Sequence, residues 1–272
     1  MGRKSFFSAL IIALIAWACS TNPITGRTTL NLVSERELQG LAKQEYTQFL
    51  SQNRVVSPNS SRDAEMVRRV GSRIATAVTN YYNSQNLGSE LAGYQWEYNL
   101  VNNNDANAWC MPGGKIVVYT GILPITQNEA ALAAVVGHEV AHAVAKHGSE
   151  RMSQGLVQQL GGVALGVALS NRSAETQNLF NSLYGVGSTI GYALPHSRNQ
   201  ELEADKLGLR YMALAGYNPR EAVALWQRMK AASNGNRPPD FLSTHPAEDR
   251  RISELNKIMD ETLKNYYRPA GK

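Results

Sequence analysis

His138-Glu139-Val140-Ala141-His142 lies inside an apolar, helix-reading run from Asn128 to His147. Thr126 and Glu129 ahead of it have the T-x-x-E spacing of a capping box, and Gly148 suits a C-terminal stop. Residues four apart share one face of a helix, so the two imidazoles can grip one metal ion. Glu139 follows the first histidine and projects beside the position such a metal leaves open, where a carboxylate can take a proton from water. Five residues of this kind also arise by chance on amphipathic helices. The helix context favours zinc, and the pattern implies zinc-dependent hydrolysis of peptide bonds.

A catalytic zinc takes three protein ligands and keeps one position open. The H-E-x-x-H-x-x-G-x-x-H pattern fails here, because position 145 is Ala and position 148 is Gly. His147 falls about 140° round a continuous helix from His142 and reads as a polar helix end. The remaining candidate is Glu201-Leu202-Glu203-Ala204-Asp205, where Glu201 and Asp205 stand four apart. One carboxylate can bind zinc while the other orients a ligating imidazole through its second N–H. Glu203 points about 200° away from Glu201 and reads as a solvated surface charge. Alone, this segment would be an exposed acidic face; the upstream histidines reverse that reading.

The 272 residues, 43% hydrophobic, can bury a full core in one large domain or two small ones. The formal charge is +5, and without Arg3 and Lys4 it is +3. No basic block or aromatic-basic interleaving is present, so nucleic acid is not an expected partner. Arg3 and Lys4 precede an apolar run from Phe6 to Ala18, short for a membrane span and suited to a secretory signal. The Ala18-Cys19 junction resembles a bacterial lipoprotein cleavage site, which would make Cys19 a lipidated N-terminus. Cys110 would then be the only thiol, excluding an intrachain disulfide. The expected division is a signal peptide over 1–18, a tether over 19–33 and a zinc metalloprotease domain over 34–272.

Helices are expected from Ser34 to about Leu50, over about 62–82, from Pro195 to about Ala215, after Pro219, and after Pro246. Tyr94, Trp96, Tyr98 and Leu100 alternate with polar residues, and Lys115 to Thr120 reads as another strand after the Pro112-Gly113-Gly114 turn. The expected fold is therefore mainly α (α+β), a helical zincin-type protease with a small antiparallel sheet beside the metal helix. An edge strand of that sheet can hold a substrate backbone by strand addition. It can equally be a structural hairpin. Gln154 to Ser170, with Gly155, Gly161, Gly162 and Gly166, reads as a helix packed by its small face or a flap over the site, rather than a membrane insertion. Residues 171–188 are ambiguous.

The two segments together, His138-Glu139-x-x-His142 and then Ser197-Arg198-x-x-Glu201-x-x-Ala204-Asp205, resemble the HtpX and CAAX-prenyl-endopeptidase family of gluzincin metallopeptidases. The likeness extends to Asn107-Ala108-Trp109, Pro112-Gly113-Gly114, Thr120-Gly121 and Thr244-His245-Pro246 with Arg251, and is nearest the periplasmic lipoprotein members of BepA and LoiP type. The resemblance implies one Zn²⁺ per chain on His138, His142 and Glu201, with Glu139 as general base and acid. It also implies that Asp205 supports a ligand and that His245 approaches the metal or the transition state. His245 is then either a resting fourth ligand or a donor to the oxyanion. A helix-start surface histidine is the bland reading.

The function expected is a zinc-dependent endopeptidase of the bacterial cell envelope that degrades misfolded or misassembled envelope proteins. It would be lipid-anchored on the periplasmic side, with Ser20 favouring the outer membrane. The rival is an envelope chaperone or scaffold that keeps a structural zinc and seldom cleaves, but such a protein needs no general base. Oligomeric state is not addressed by these features.

Overall fold

The computed structural model describes residues 19–168, 172–184, 196–233, 239–246 and 249–269, with backbone alone for 159–168, 172–175 and 183–184. The signal expected over 1–18 and the Pro195 helix start lie outside them. Serine side chains open the first two long helices. Ser34 accepts from the Glu37 amide ahead of α1 (Glu35–Gln52), and Ser61 from the Ala64 amide ahead of α2 (Arg62–Ser84). Residues 19–33, expected as a tether, contain a hairpin of β1 (Cys19–Thr21) and β2 (Thr28–Leu30). Val33 at its end is buried.

Four strands form the main sheet, β3 (Val55–Val56), β4 (Glu97–Val101), β5 (Ala108–Met111) and β6 (Lys115–Tyr119), in the order β3-β4-β6-β5. The Pro112-Gly113-Gly114 turn, with both glycines at positive φ, joins β5 to β6 antiparallel. β4 takes the other edge of β6 in parallel, so the sheet is mixed rather than wholly antiparallel. The connector 102–107 makes this possible by crossing the end of β6. There Asn103 bonds Thr120 and the Gly121 amide, and the Asn107 carbonyl accepts from the Tyr119 amide. Both faces of β6 are covered, which is why all five of its residues are buried. Ile116 and Val118 face a core built with α2, while Val117 and Tyr119 join Tyr46 and Phe49 of α1 on the other side.

The metal helix is α3 (Glu129–Val144). Its cap is Asn128, whose side chain accepts from the Ala131 amide, not Thr126, which ends a short turn over Leu123–Thr126. Every residue from Ala131 to Val144 is buried, so α3 is the central element rather than an amphipathic surface helix. It stops before Gly148, because Lys146 adopts φ 60° and a new helix, α4 (His147–Ala168), starts at once. The expected glycine-rich segment thus runs as helix. Gly155 lies against Leu179 of α5 (Arg172–Tyr184), the element formed by the ambiguous stretch.

Next come α6 (Arg198–Leu214), α7 (Arg220–Ser233), a short turn over Phe241–Thr244, and α8 (Asp249–Asn265). A full capping box, Ser197 with Gln200, opens α6. α3 and α6 pack backbone to backbone at two glycines. A Cβ on Gly137 would meet the Gly208 carbonyl oxygen at 2.9 Å, and one on Gly208 would meet the His138 amide nitrogen at 2.8 Å. That approach places Glu201 and Asp205 opposite His138 and His142. Among the described residues no helix is long and apolar enough to cross a membrane.

Candidate metal centre

His138 and His142 project from one face of α3 with their Nε2 atoms 3.1 Å apart. Glu201, from the first turn of α6, brings Oε2 to 3.5 Å from His138 Nε2 and Oε1 to 3.3 Å from His142 Nε2. His245 follows the Phe241–Thr244 turn, its amide bonded to the Phe241 carbonyl and its ring stacked on the Phe241 ring at 4.5 Å. Its Nδ1 lies 2.9 Å from Glu201 Oε1 and 3.2 Å from His138 Nε2. The four side chains, all buried, form a donor group able to hold a metal ion.

The spacings test the fit. Two ligands 2.0–2.1 Å from one zinc at a tetrahedral angle sit about 3.3 Å apart. The nitrogen and oxygen separations here, 2.9 to 3.5 Å, straddle that value. Charge points the same way. Three buried carboxylates, Glu139, Glu201 and Asp205, face one buried guanidinium, Arg251, and the surplus suits a dication. Burial holds the His142 imidazole well below its usual pKa, so it is neutral and free to donate a lone pair. Burial would raise Glu201, yet His245 and Arg251 overcome it and hold the carboxylate well below the usual range.

Asp205 Oδ1 lies 3.0 Å from His138 Nδ1, within reach of that ring's second nitrogen. Arg251 grips both acids, with Nη1 2.7 Å from Glu201 Oε2 and Nη2 and Nε 2.6 and 2.7 Å from the two Asp205 oxygens. Its guanidinium lies 3.7 Å above the Trp226 ring. The sequence reading gave Arg251 no role, although the signal was present. Arg251 sits on the same stripe of α8 as Leu255 and Met259, and an arginine on an apolar stripe needs buried acids.

Glu139 points into the same space, its Oε1 buried without a hydrogen-bond donor and 3.4 Å from His245 Nε2. Burial raises its pKa, against the pull of His245. A cleft opens here, lined by Trp109 and Met111 of edge strand β5 together with Glu139, His142 and His245.

Two expectations fail in this region. His147, read as a polar helix end, is the first residue of α4 but does not face solvent. It is fully buried, with Nδ1 2.8 Å from His142 Nδ1. The 140° extrapolation assumed one continuous helix, whereas the break at Lys146 turns the ring back onto His142. Glu203 is not a solvated charge. Its side chain is 8% exposed, and its carboxylate meets His147 Nε2 at 3.1 Å and pairs with Arg27. Burial acts against ionisation, but bonds from His147 and Thr25 with the charge of Arg27 lower its pKa to about 2. Its partners lie more than fifty residues away in sequence, where helix geometry alone gives no sight of them. His196, given no role, lies against His142 at 3.9 Å between ring centres, the planes tilted by 39°.

Residues 62–259 match the model of peptidase family M48. The chain belongs to that family. Membership places it among metallopeptidases, in line with the names of its relatives. It is 38% identical over 180 residues to the mitochondrial metalloendopeptidase OMA1 of Arabidopsis thaliana, covering 65% of this chain and 35% of the relative. It is 32% identical over 242 residues to the protein of that name from Schizosaccharomyces pombe, covering 88% and 66%. The beta-barrel assembly-enhancing protease of Yersinia pestis is 28% identical over 191 residues, 65% of this chain and 38% of the relative. The chain therefore spans roughly a third to two thirds of the relatives it matches.

These relatives overturn the expected location. Similarity over 88% of this M48 chain is to a mitochondrial metalloendopeptidase, not to a bacterial lipid-anchored periplasmic protein. The envelope reading rested on a short apolar run and one alanine–cysteine junction, a local pattern that similarity along the domain outweighs. Cys19 itself is exposed at the start of β1.

Proposed function

We propose that this M48 chain is a zinc endopeptidase that cuts extended segments of unfolded or misassembled proteins. His138, His142 and Glu201 hold one zinc ion, and Glu139 acts as general base and then acid. The observation that carries the reading is the convergence of those donor atoms at metal-ligand spacing beside the unpartnered oxygen of Glu139. When bound, zinc polarises the scissile carbonyl and makes water acidic enough to give up a proton near neutral pH. Glu139 accepts that proton and hands it to the departing amine. Asp205 and Arg251 hold His138 and Glu201 in register, so little reorganisation is needed during the reaction.

The substrate class follows from the cleft. Among the described residues β5 pairs with β6 alone, and its Trp109 and Met111 line the cleft with Glu139. An extended peptide can add to that edge, placing one carbonyl before the metal ligands. Folded proteins seldom offer such a strand, which is why unfolded segments are the proposed substrates. A structural-zinc scaffold would gain nothing from a buried carboxylate without a donor, which costs about 1–3 kcal/mol.

The test is metal removal. Casein cleavage by the purified chain is expected to stop after chelation and to return with one equivalent of zinc. Cleavage that persists in metal-free protein would exclude the mechanism.

His245 sets the resting state. With Nδ1 inside the donor group, it would hold the metal as a fourth ligand in the free enzyme. In cobalt-substituted protein, His245→Ala is expected to remove one nitrogen from the metal's ligands, read by X-ray absorption. An unchanged set of ligands would show that His245 does not bind the metal.

A further inference from the structure

We infer that Glu203 and His147 form a hydrogen-bond relay that holds the His142 imidazole in its metal-binding tautomer, and that Arg27 and Thr25 of the N-terminal hairpin anchor this relay. The inference rests on the proposed role of His142 as a zinc ligand.

Glu203 Oε2 lies 3.1 Å from His147 Nε2, where a carboxylate accepts the ring's Nε2–H. A neutral ring that donates from Nε2 has its lone pair at Nδ1. That lone pair faces His142 Nδ1 at 2.8 Å, a separation that requires one donor and one acceptor. His142 therefore carries its proton on Nδ1. Its Nε2 keeps a lone pair, and Nε2 is the atom that faces His138 and Glu201. Asp205 does the same for His138 in a single step. The two ligating histidines are thus oriented by carboxylates of the same helix, one directly and one through a second imidazole.

Glu203 is itself held from outside the helical core. Between β1 and β2, Asn22 Oδ1 accepts from the amides of Ile24 and Thr25, and Gly26 takes φ 72°. This turn presents Thr25 and Arg27 to the Glu203 carboxylate. Arg27 also reaches Glu150 of α4 at 2.8 Å, and Glu150 accepts from Gln200 of α6 at 2.7 Å. The hairpin tip is therefore wedged between the helices that flank the metal centre. Beyond it, the Leu32 amide donates to Ser153 and Ser149 donates to the Val33 carbonyl. The segment expected as a passive tether is in this way coupled to a ligand. With Arg27 drawn off, Glu203 would lose its fixed position and His147 its orientation.

His142, His147 and His196 also form a donor group of metal-binding dimensions. Arg151 lies 3.1 Å from His196 Nε2 and brings a positive charge to that group, which favours the relay over a second ion.

The experiment uses the full chain. Long-range ¹H–¹⁵N spectra of the metal-free protein report which ring nitrogen of each histidine is protonated. The wild type is expected to show His142 protonated at Nδ1, and His147→Phe to shift the proton toward Nε2. Zinc affinity, from chelator competition, is expected to fall by about 10–100-fold in His147→Phe and to weaken by about 10-fold in Arg27→Ala. His147→Gln, whose carboxamide can accept from His142 and donate to Glu203, is expected to recover most of the loss. A purely structural role would lower thermal stability without moving the tautomer. Wild-type His142 protonated at Nε2, unchanged affinity in both loss variants, or two zinc ions per chain would each overturn the relay. His142→Ala separates the two readings. Zinc lost in that variant upholds the ligand whatever the relay does, and zinc retained removes the ligand assignment and the relay with it.

Discussion

Glu139→Gln is expected to keep the fold and one zinc per chain while peptide cleavage falls by about 10²–10⁴. The substitution preserves shape and removes the carboxylate's charge and its capacity to take a proton. None of the three proposed ligands is touched. Gln has nearly the same volume as Glu, and the Glu139 Oε1 has no hydrogen-bond donor to lose, so the variant should melt close to the wild type. Zinc content and casein cleavage measured on one preparation decide the matter. Wild-type turnover in a zinc-loaded Glu139→Gln protein would remove Glu139 from the reaction.

Glu201→Ala is expected to lower bound zinc well below one per chain in elemental analysis. Glu201 contributes an oxygen to each of the histidines His138, His142 and His245, so no other side chain replaces its position. It also faces Arg251 at 2.7 Å, and breaking a buried ion pair commonly costs about 3–5 kcal/mol. Arg251 keeps both bonds to Asp205, which sets the expected loss in the metal-free protein at the lower end, about 3 kcal/mol. Chemical denaturation of metal-free wild type and variant measures that term separately from zinc binding. Full zinc retention would show that His245, with His138 and His142, completes the ligand set.

Helix spacing in His138-Glu139-x-x-His142 and in Glu201 to Asp205 put two imidazoles on one face and two carboxylates on another, while the choice of Glu201 and the inclusion of His245 came from the family resemblance. Those motifs are local, and a helix places residues four apart on one face wherever it packs. The mainly α architecture was legible for the same reason, since helix caps and apolar spacing are written over a few consecutive residues. The direction of β4 against β6 was not, because pairing across a sheet depends on which edge is left after the β5–β6 turn closes.

Tertiary structure alone decided what surrounds the donors. Gly137 against Gly208 brings two helices some seventy residues apart in sequence into backbone contact, and only that approach sets Glu201 across from the histidines. The break at Lys146 is a single left-handed residue, too small a change for periodicity to register, yet it moves His147 from a solvent-facing angle onto His142. Glu203 was read from its own helix as solvent-facing, and so it would be if α6 stood alone. Arg27 and Thr25 arrive from a hairpin 176 and 178 residues away and bury it. Local sequence settles which groups can carry the chemistry, because ligand type and helical spacing are short-range properties. Their protonation and orientation depend on burial and on charges that arrive from distant segments, and those exist only once the chain has closed around them.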